Sequence, residues 1–528
     1  MPIAWRIAAA AVLTLAFAPL AVLVLGSFRS GDSWSLAAYE TAMQGGRVGT
    51  LLARSIMLAG ASTLLALILG VPIAILGVKT NLPLRRTLLA VLSAPLTLPS
   101  YVLAQGWFRV LGKNGLVARI AEAAGLPGDA IGHATSNWLF SFEGCVLVLS
   151  TAVLPVIILF AAAAMSSVEL ALEDAGRLVA SWPRVIWRIT LPLARPAIVM
   201  AAVLSFLLAI GDYGVPSLLR IATFPVESFT QISAFYDASA ATAAWVPMLF
   251  LVVACVAGIS PLLSRGGRFQ WRVGTAPVVT LERWRGSAFA LVFAVALVLV
   301  LVPIGALAWD GLNWTSVRGA WDGTADSMAW SLFYAASTAT LISIMGFLLA
   351  RTPVRPGADR IGILTLLLFA MPGALLAFAS AVTWNRPATA FLYASPFLLV
   401  TALFAQYLAV GYLGFRSALD QLSPSFELAA QLTGARWLRR TTVIVLPLVK
   451  GTMLAVWLLT FVLSLRDTSL PLQLSPPGKD PLTARTLTLA ANGSEQTIAA
   501  LCVFSVALAL FPLGAGLWFA NRARGHSD

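Results

Sequence analysis

Charge is scarce in this sequence. Of 528 residues only 11% are Asp, Glu, Lys or Arg, while 59% are hydrophobic; a soluble domain carries about 25% charged residues. So apolar a chain cannot cover its surface with polar groups, which makes lipid the solvent for most of it. Histidine and cysteine are nearly missing as well. His133 and His526, with Cys145, Cys255 and Cys502 inside apolar runs, give no disulfide framework and no His/Cys metal site. The same shortage argues against an intramembrane enzyme built on His with Asp or Ser. The phosphate-binding pattern G-x-x-x-x-G-K-[ST] is absent, as are G-x-S-x-G and H-E-x-x-H. No catalytic residue, metal or cofactor is therefore assigned, and the chain cannot hold ATP by that motif.

The charge that is present is mostly positive, 35 Lys and Arg against 22 Asp and Glu, net +13. Basic cytoplasmic loops explain this better than a nucleic-acid partner does. Apolar runs long enough for a bilayer core of about 30 Å lie near residues 7–27, 53–77, 87–107, 138–164, 197–219 and 243–264. A polar, basic stretch follows at 265–286, and six more runs lie near 287–309, 328–350, 361–384, 387–412, 451–472 and 498–520. Residues 1–27 have signal-peptide character, but the length of the run and the spans that follow favour a retained first span. The expected fold is an all-α membrane protein of about twelve transmembrane helices, in two six-helix halves, 1–264 and 287–528, joined by a cytoplasmic linker. Placing both termini in the cytoplasm puts about two thirds of the basic residues inside, as the positive-inside rule requires. Several tryptophans near span ends (Trp107, Trp138, Trp245, Trp309, Trp330, Trp384) read as interfacial anchors.

The two halves repeat. LEDAGRLVASWPRVIWRITLPLARPAI (172–198) aligns with ELAAQLTGARWLRRTTVIVLPLVKGTM (427–453) at an offset of 255 residues. The register matches Pro192 with Pro447, Leu191 with Leu446, Ile189 with Ile444 and Trp182 with Trp437. It runs on through Phe206/Phe461, Asp212/Asp467 and Pro216/Pro471. Both copies fall between a fourth and a fifth span, so they are parallel repeats. Each is acidic at its start and basic later, the order that suits a helix dipole. Asp212 and Asp467 are read either as lining a transport pathway or gate, facing a cationic substrate, or as ending a helix among Gly211, Gly214 and Pro216. An Arg466–Asp467 ion pair is the local alternative. An acid inside a membrane is expected to face the bundle rather than lipid.

At these residues the chain resembles the membrane subunits of binding-protein-dependent ABC importers, whose loop reads E-A-A-x3-G-x9-I-x-L-P. In the first half Glu173, Asp174, Ala175, Val179, Ile189, Leu191 and Pro192 stand at its positions, with Asp174 for an alanine and Val179 for the glycine. In the second half Leu428, Ala429, Ala430, Gly434, Ile444, Leu446 and Pro447 do so, with Leu428 for the glutamate and Glu427 one residue earlier. The resemblance implies that both loops are couplers docking on ATP-binding cassette ATPase subunits, two copies for two loops. It also implies a separate periplasmic or extracellular substrate-binding protein and a place in a bacterial inner membrane. The fused tandem is similar to importers of ferric iron, thiamine or phosphonate. LAIGDYGVPSLL (208–219) and ESFTQISAFYD (227–237) look most like the ferric-iron type. The competing reading is a six-plus-six secondary transporter driven by an ion gradient, which would need mid-depth ionisable residues and has no use for two matched loops.

Overall fold

The computed structural model describes residues 3–30, 33–36, 39–40, 46–235, 238–265, 279–352, 359–432 and 434–524. These are helical almost throughout; the one strand pair is a two-residue antiparallel ladder, Arg29–Ser30 with Ser33–Trp34. The first half builds α1 (Ile3–Ser27), α2 (Arg47–Lys79), α3 (Arg85–Ser93), α4 (Ser100–Leu111), α5 (Leu116–Ala123), α6 (Gly128–Leu139), α7 (Phe142–Ser167), α8 (Leu170–Arg177), α9 (Leu191–Ile210), α10 (Gly214–Leu218), α11 (Phe224–Phe235) and α12 (Ala238–Arg265). The second builds α13 (Arg285–Ala296), α14 (Val302–Gly311), α15 (Trp314–Ala350), α16 (Arg360–Ala370), α17 (Gly373–Trp384), α18 (Pro396–Asp420), α19 (Pro424–Leu432), α20 (Lys450–Arg466), α21 (Ser469–Leu474), α22 (Leu482–Asn492) and α23 (Glu495–Arg524). Most of the linker expected at 265–286 lies outside the described residues.

Among the described residues eight helices are long and apolar enough to cross a membrane, and up to eleven spans result if three sharply bent pairs each count as one. The expected spans at 87–107 and 361–384 are two of those pairs. Residues Arg85–Thr97 and Ser100–Ala123 meet at 110°, and Arg360–Ala370 and Gly373–Trp384 at 98°. The cause is local. A proline pushes the preceding residue out of helical geometry: Leu98, before Pro99, takes φ −97° and ψ 142°, and Met371, before Pro372, takes φ −67° and ψ 137°. Broken backbone at membrane depth is tolerated where protein buries it, and Leu98 and Met371 are both buried.

Packing within each half centres on a long helix crossing the fourth span, α2 on α7 and α15 on α18. Small residues allow the close approach. A Cβ on Gly346 of α15 would lie 2.8 Å from the Gly411 carbonyl carbon of α18, and one on Gly70 of α2 would lie 2.8 Å from Ile157 of α7. The first span of each half also packs on the other half's bent helix: α1 lies on α17, and α14, the end of the span Glu282–Gly311, lies on α4, where Gly106 meets the Pro303 backbone. Two of the tryptophans expected to be interfacial anchors are instead packed inside, Trp245 at 0% and Trp107 at 5% exposure, whereas Trp309 is 83% exposed.

Candidate functional site

The two aligned loops have one design. Each starts with a short amphipathic helix (α8, α19), passes a four-residue helix (Trp182–Val185, Trp437–Arg440), and then widens into a single π-helical turn. Those turns, Ile186–Thr190 and Thr441–Val445, stand 255 residues apart and run straight into Leu191-Pro192 and Leu446-Pro447. Over each aligned tryptophan lies an arginine: Arg177 is 4.7 Å from the Trp182 ring and Arg351 is 5.9 Å from the Trp437 ring.

The aligned glutamates at the loop starts are engaged by cations within the protein, while Asp174 stays exposed. Glu173 is fully buried; its carboxylate accepts from Lys79 Nζ at 2.8 Å and from Thr190 Oγ1 at 2.7 Å. Lys79 is the last residue of α2 and Thr190 the last of the π turn, so one carboxylate ties loop, turn and long helix together. In the second half Arg351, just past α15, pairs with both oxygens of Glu427 and reaches Thr441 Oγ1 at 3.4 Å. A helix C-terminus is the favourable place for these cations. Sequence reasoning found the two glutamates and missed both cations, because their partners lie 94 and 76 residues away.

The remaining loop residues divide by face. Asp174, Ala175, Val179 and Pro192 are exposed, with Leu178 beside them at 87%; Ile189 and Leu191 are half-buried, and Ile189 lies against Gly176. In the second loop Ala429, Gly434 and Pro447 are exposed, with Leu432 at 91%, whereas Ala430, Ile444 and Leu446 are half-buried. Gly434 takes φ +75° and closes α19 in a Schellman turn, its N–H donating to Gln431 O and that of Ala435 to Ala430 O. Val179, its counterpart, has no positive φ, and the first loop unwinds through i→i−3 bonds, Leu178 N–H to Ala175 O and Val179 N–H to Gly176 O. The glycine of the pattern is thus needed in one copy and dispensable in the other.

Asp212 and Asp467 come together in one cavity of about 100 Å³ between the halves, lined also by Ser100, Gln406, Tyr407 and Arg466. Each aspartate follows the end of its long helix and caps the next short one. Asp212 Oδ1 accepts from Val215 N–H at 2.9 Å, and Asp467 Oδ1 from Leu470 N–H at 3.0 Å. Both aspartates thus end a helix and line the cavity. Tyr407 donates to Asp467 at 2.8 Å, and Gln406 donates to the Met371 carbonyl at the α16–α17 break while its own Oε1 stays buried without a partner. Arg466 makes no ion pair within 4 Å among the described residues; it donates to the Leu96 carbonyl of the other half. Two carboxylates thus share the cavity with one guanidinium.

Known proteins resemble this chain along both halves. The family described as "Binding-protein-dependent transport system inner membrane component" matches residues 62–268. The chain is 23% identical to "Putative ferric transport system permease protein FbpB 1" of Haemophilus influenzae over 488 residues, 85% of this chain and 74% of that protein. It is 23% identical to "Ferric transport system permease protein FbpB" of Actinobacillus pleuropneumoniae over 85% of this chain and 68% of that one. It is also 30% identical over 216 residues to "Molybdenum transport system permease protein ModB" of Mycobacterium tuberculosis, covering 39% of this chain and 76% of that protein. The chain belongs to the family of binding-protein-dependent transport-system inner-membrane components: it is a multi-pass permease subunit of an ABC importer, not itself an enzyme.

Proposed function

We propose that this permease moves ferric iron, delivered by a separate binding protein, through a pathway between residues 1–264 and 287–528, with both termini in the cytoplasm. Its two aligned loops receive the movement of two ATPase subunits. The observation that carries the coupling is the shared architecture of the loops: in each, a glutamate is locked to the cation ending a long helix, while apolar residues (Leu178 and Val179; Leu428 and Leu432) stay exposed beside it. A locked base with an exposed apolar tip transmits force, because the loop cannot tilt without moving α2 or α15. Val179, Gly434, Ile444 and the Leu-Pro pairs shape the tip and its junction with the span.

For the substrate, the ferric relatives align along both halves while the molybdenum relative aligns with 39% of the chain. The central cavity agrees, since Asp212 and Asp467 outnumber Arg466 and a metal cation is drawn to carboxylates where an oxyanion is repelled. The test is uptake into proteoliposomes containing this chain, its ATPase and its binding protein. ATP-dependent entry of ferric iron, with none of molybdate, is expected; molybdate entry alone would overturn the assignment. An ion-gradient-driven transporter would instead take up substrate without ATP.

A further inference from the structure

We propose that a second site, away from the central cavity, binds one anionic phospholipid and clasps the two halves at their outer seam. A cavity of about 460 Å³ opens between the end of α4, the start of α5 and the start of α23. Arg109, Lys113, Arg119 and Arg220 line it, against a single carboxylate, Glu495. The first of these arginines is buried and committed across the seam: Arg109 pairs with Glu495 at 2.7 Å and lies 3.5 Å from Asp310 of α14, which Arg119 also approaches at 3.5 Å. Lys113 and Arg220 make no ion pair within 4 Å among the described residues. The pocket therefore offers free positive charge suited to a phosphate.

What favours a lipid over a free oxyanion is the space next door. A groove of about 350 Å³ shares Arg109 and Arg119 with the basic cavity and continues along α14, walled by Leu116, Leu301, Val302, Ala306 and Trp309, with Asp310 at its rim paired to the two arginines. Its floor includes Gly305, where a Cβ would meet nothing within 4 Å. A headgroup pocket joined to an apolar channel at a helix end, with Trp309 83% exposed beside it, matches a phospholipid lying at the membrane interface. Basic side chains near a membrane surface attract anionic headgroups, each contributing about 1 kcal/mol. The bound lipid would touch α4 and α5 of one half and α14 and α23 of the other.

The test uses the full chain, delipidated in detergent, with phosphatidylglycerol, phosphatidylcholine or inorganic phosphate added, read by native mass spectrometry and thermal unfolding. One phosphatidylglycerol per chain is expected, in preference to phosphatidylcholine. The double variant Lys113→Gln/Arg220→Gln should weaken it by about 30-fold. Gly305→Leu, which alters no charge and fits the open space, should weaken phosphatidylglycerol and leave inorganic phosphate untouched. Equal binding of the two lipids, or undiminished binding in both variants, would overturn the proposal. Phosphate binding combined with unchanged phosphatidylglycerol binding in Gly305→Leu would replace it with a free oxyanion site.

Discussion

Replacing Lys79 by Met should unlock the first loop while leaving most of the bundle intact. The side chains of Lys79 and Glu173 are 3% and 0% exposed and 2.8 Å apart. Removing one member of so buried a pair leaves an uncompensated charge, at a cost of about 3–5 kcal/mol. Thr190 would still donate to Glu173 but cannot neutralise it. Amides of the loop, residues 169–190, should then lose about two to three and a half orders of magnitude of protection in hydrogen exchange. Replacing both partners by apolar residues, Lys79→Met with Glu173→Leu, removes the stranded charge and should restore much of that protection. Arg351→Met provides the internal contrast. Its pair with Glu427 is 11% and 31% exposed, so water screens the charge left behind and the loss should be about 1 kcal/mol. A double variant as damaged as Lys79→Met, or equal losses from Lys79→Met and Arg351→Met, would refute this reasoning.

Three other outcomes follow from the geometry. Gly434→Val forces a β-branched residue into a left-handed conformation and should cost about 1–2 kcal/mol, seen as faster exchange at residues 424–435, whereas Val179→Gly should change little. Gly346→Leu places a side chain against the Gly411 backbone and should lower the unfolding temperature in detergent, the overpacking costing about 1–3 kcal/mol or more. Asp212→Asn with Asp467→Asn keeps an oxygen that can cap Val215 and Leu470, so folding should survive, but ferric uptake should fall at least about tenfold because the carboxylate charge at the cavity is gone.

The loops were legible in the sequence because their signal is local and duplicated: Trp182 and Trp437 and the Leu-Pro junctions keep one 255-residue register, in which the π turns also fall. Asp212 and Asp467 were legible for the same reason, through the glycines and prolines around them. What the sequence hid was the third dimension. Nothing in the run around Lys79 marks it as the partner of Glu173, and an arginine after a long helix such as Arg351 looks like an ordinary loop charge. Pro99 and Pro372 break their spans, yet in sequence a proline in an apolar run is compatible with a slight kink or with a full break. The outcome depends on whether neighbouring helices bury the freed backbone. Trp107 and Trp245 were misjudged because proximity to a span end says nothing of which way a ring packs.

The central claim, that the loop tips receive an ATPase, is tested most directly by association. Because Glu173 and Glu427 are already paired with Lys79 and Arg351, the informative change is at the exposed apolar tips, Leu178→Asp with Leu432→Asp. The partner ATPase should co-purify with the native chain in detergent and be lost from this variant, while the variant keeps its unfolding temperature. An ATPase retained by the folded variant, or one that never associates with the native chain, would contradict the account.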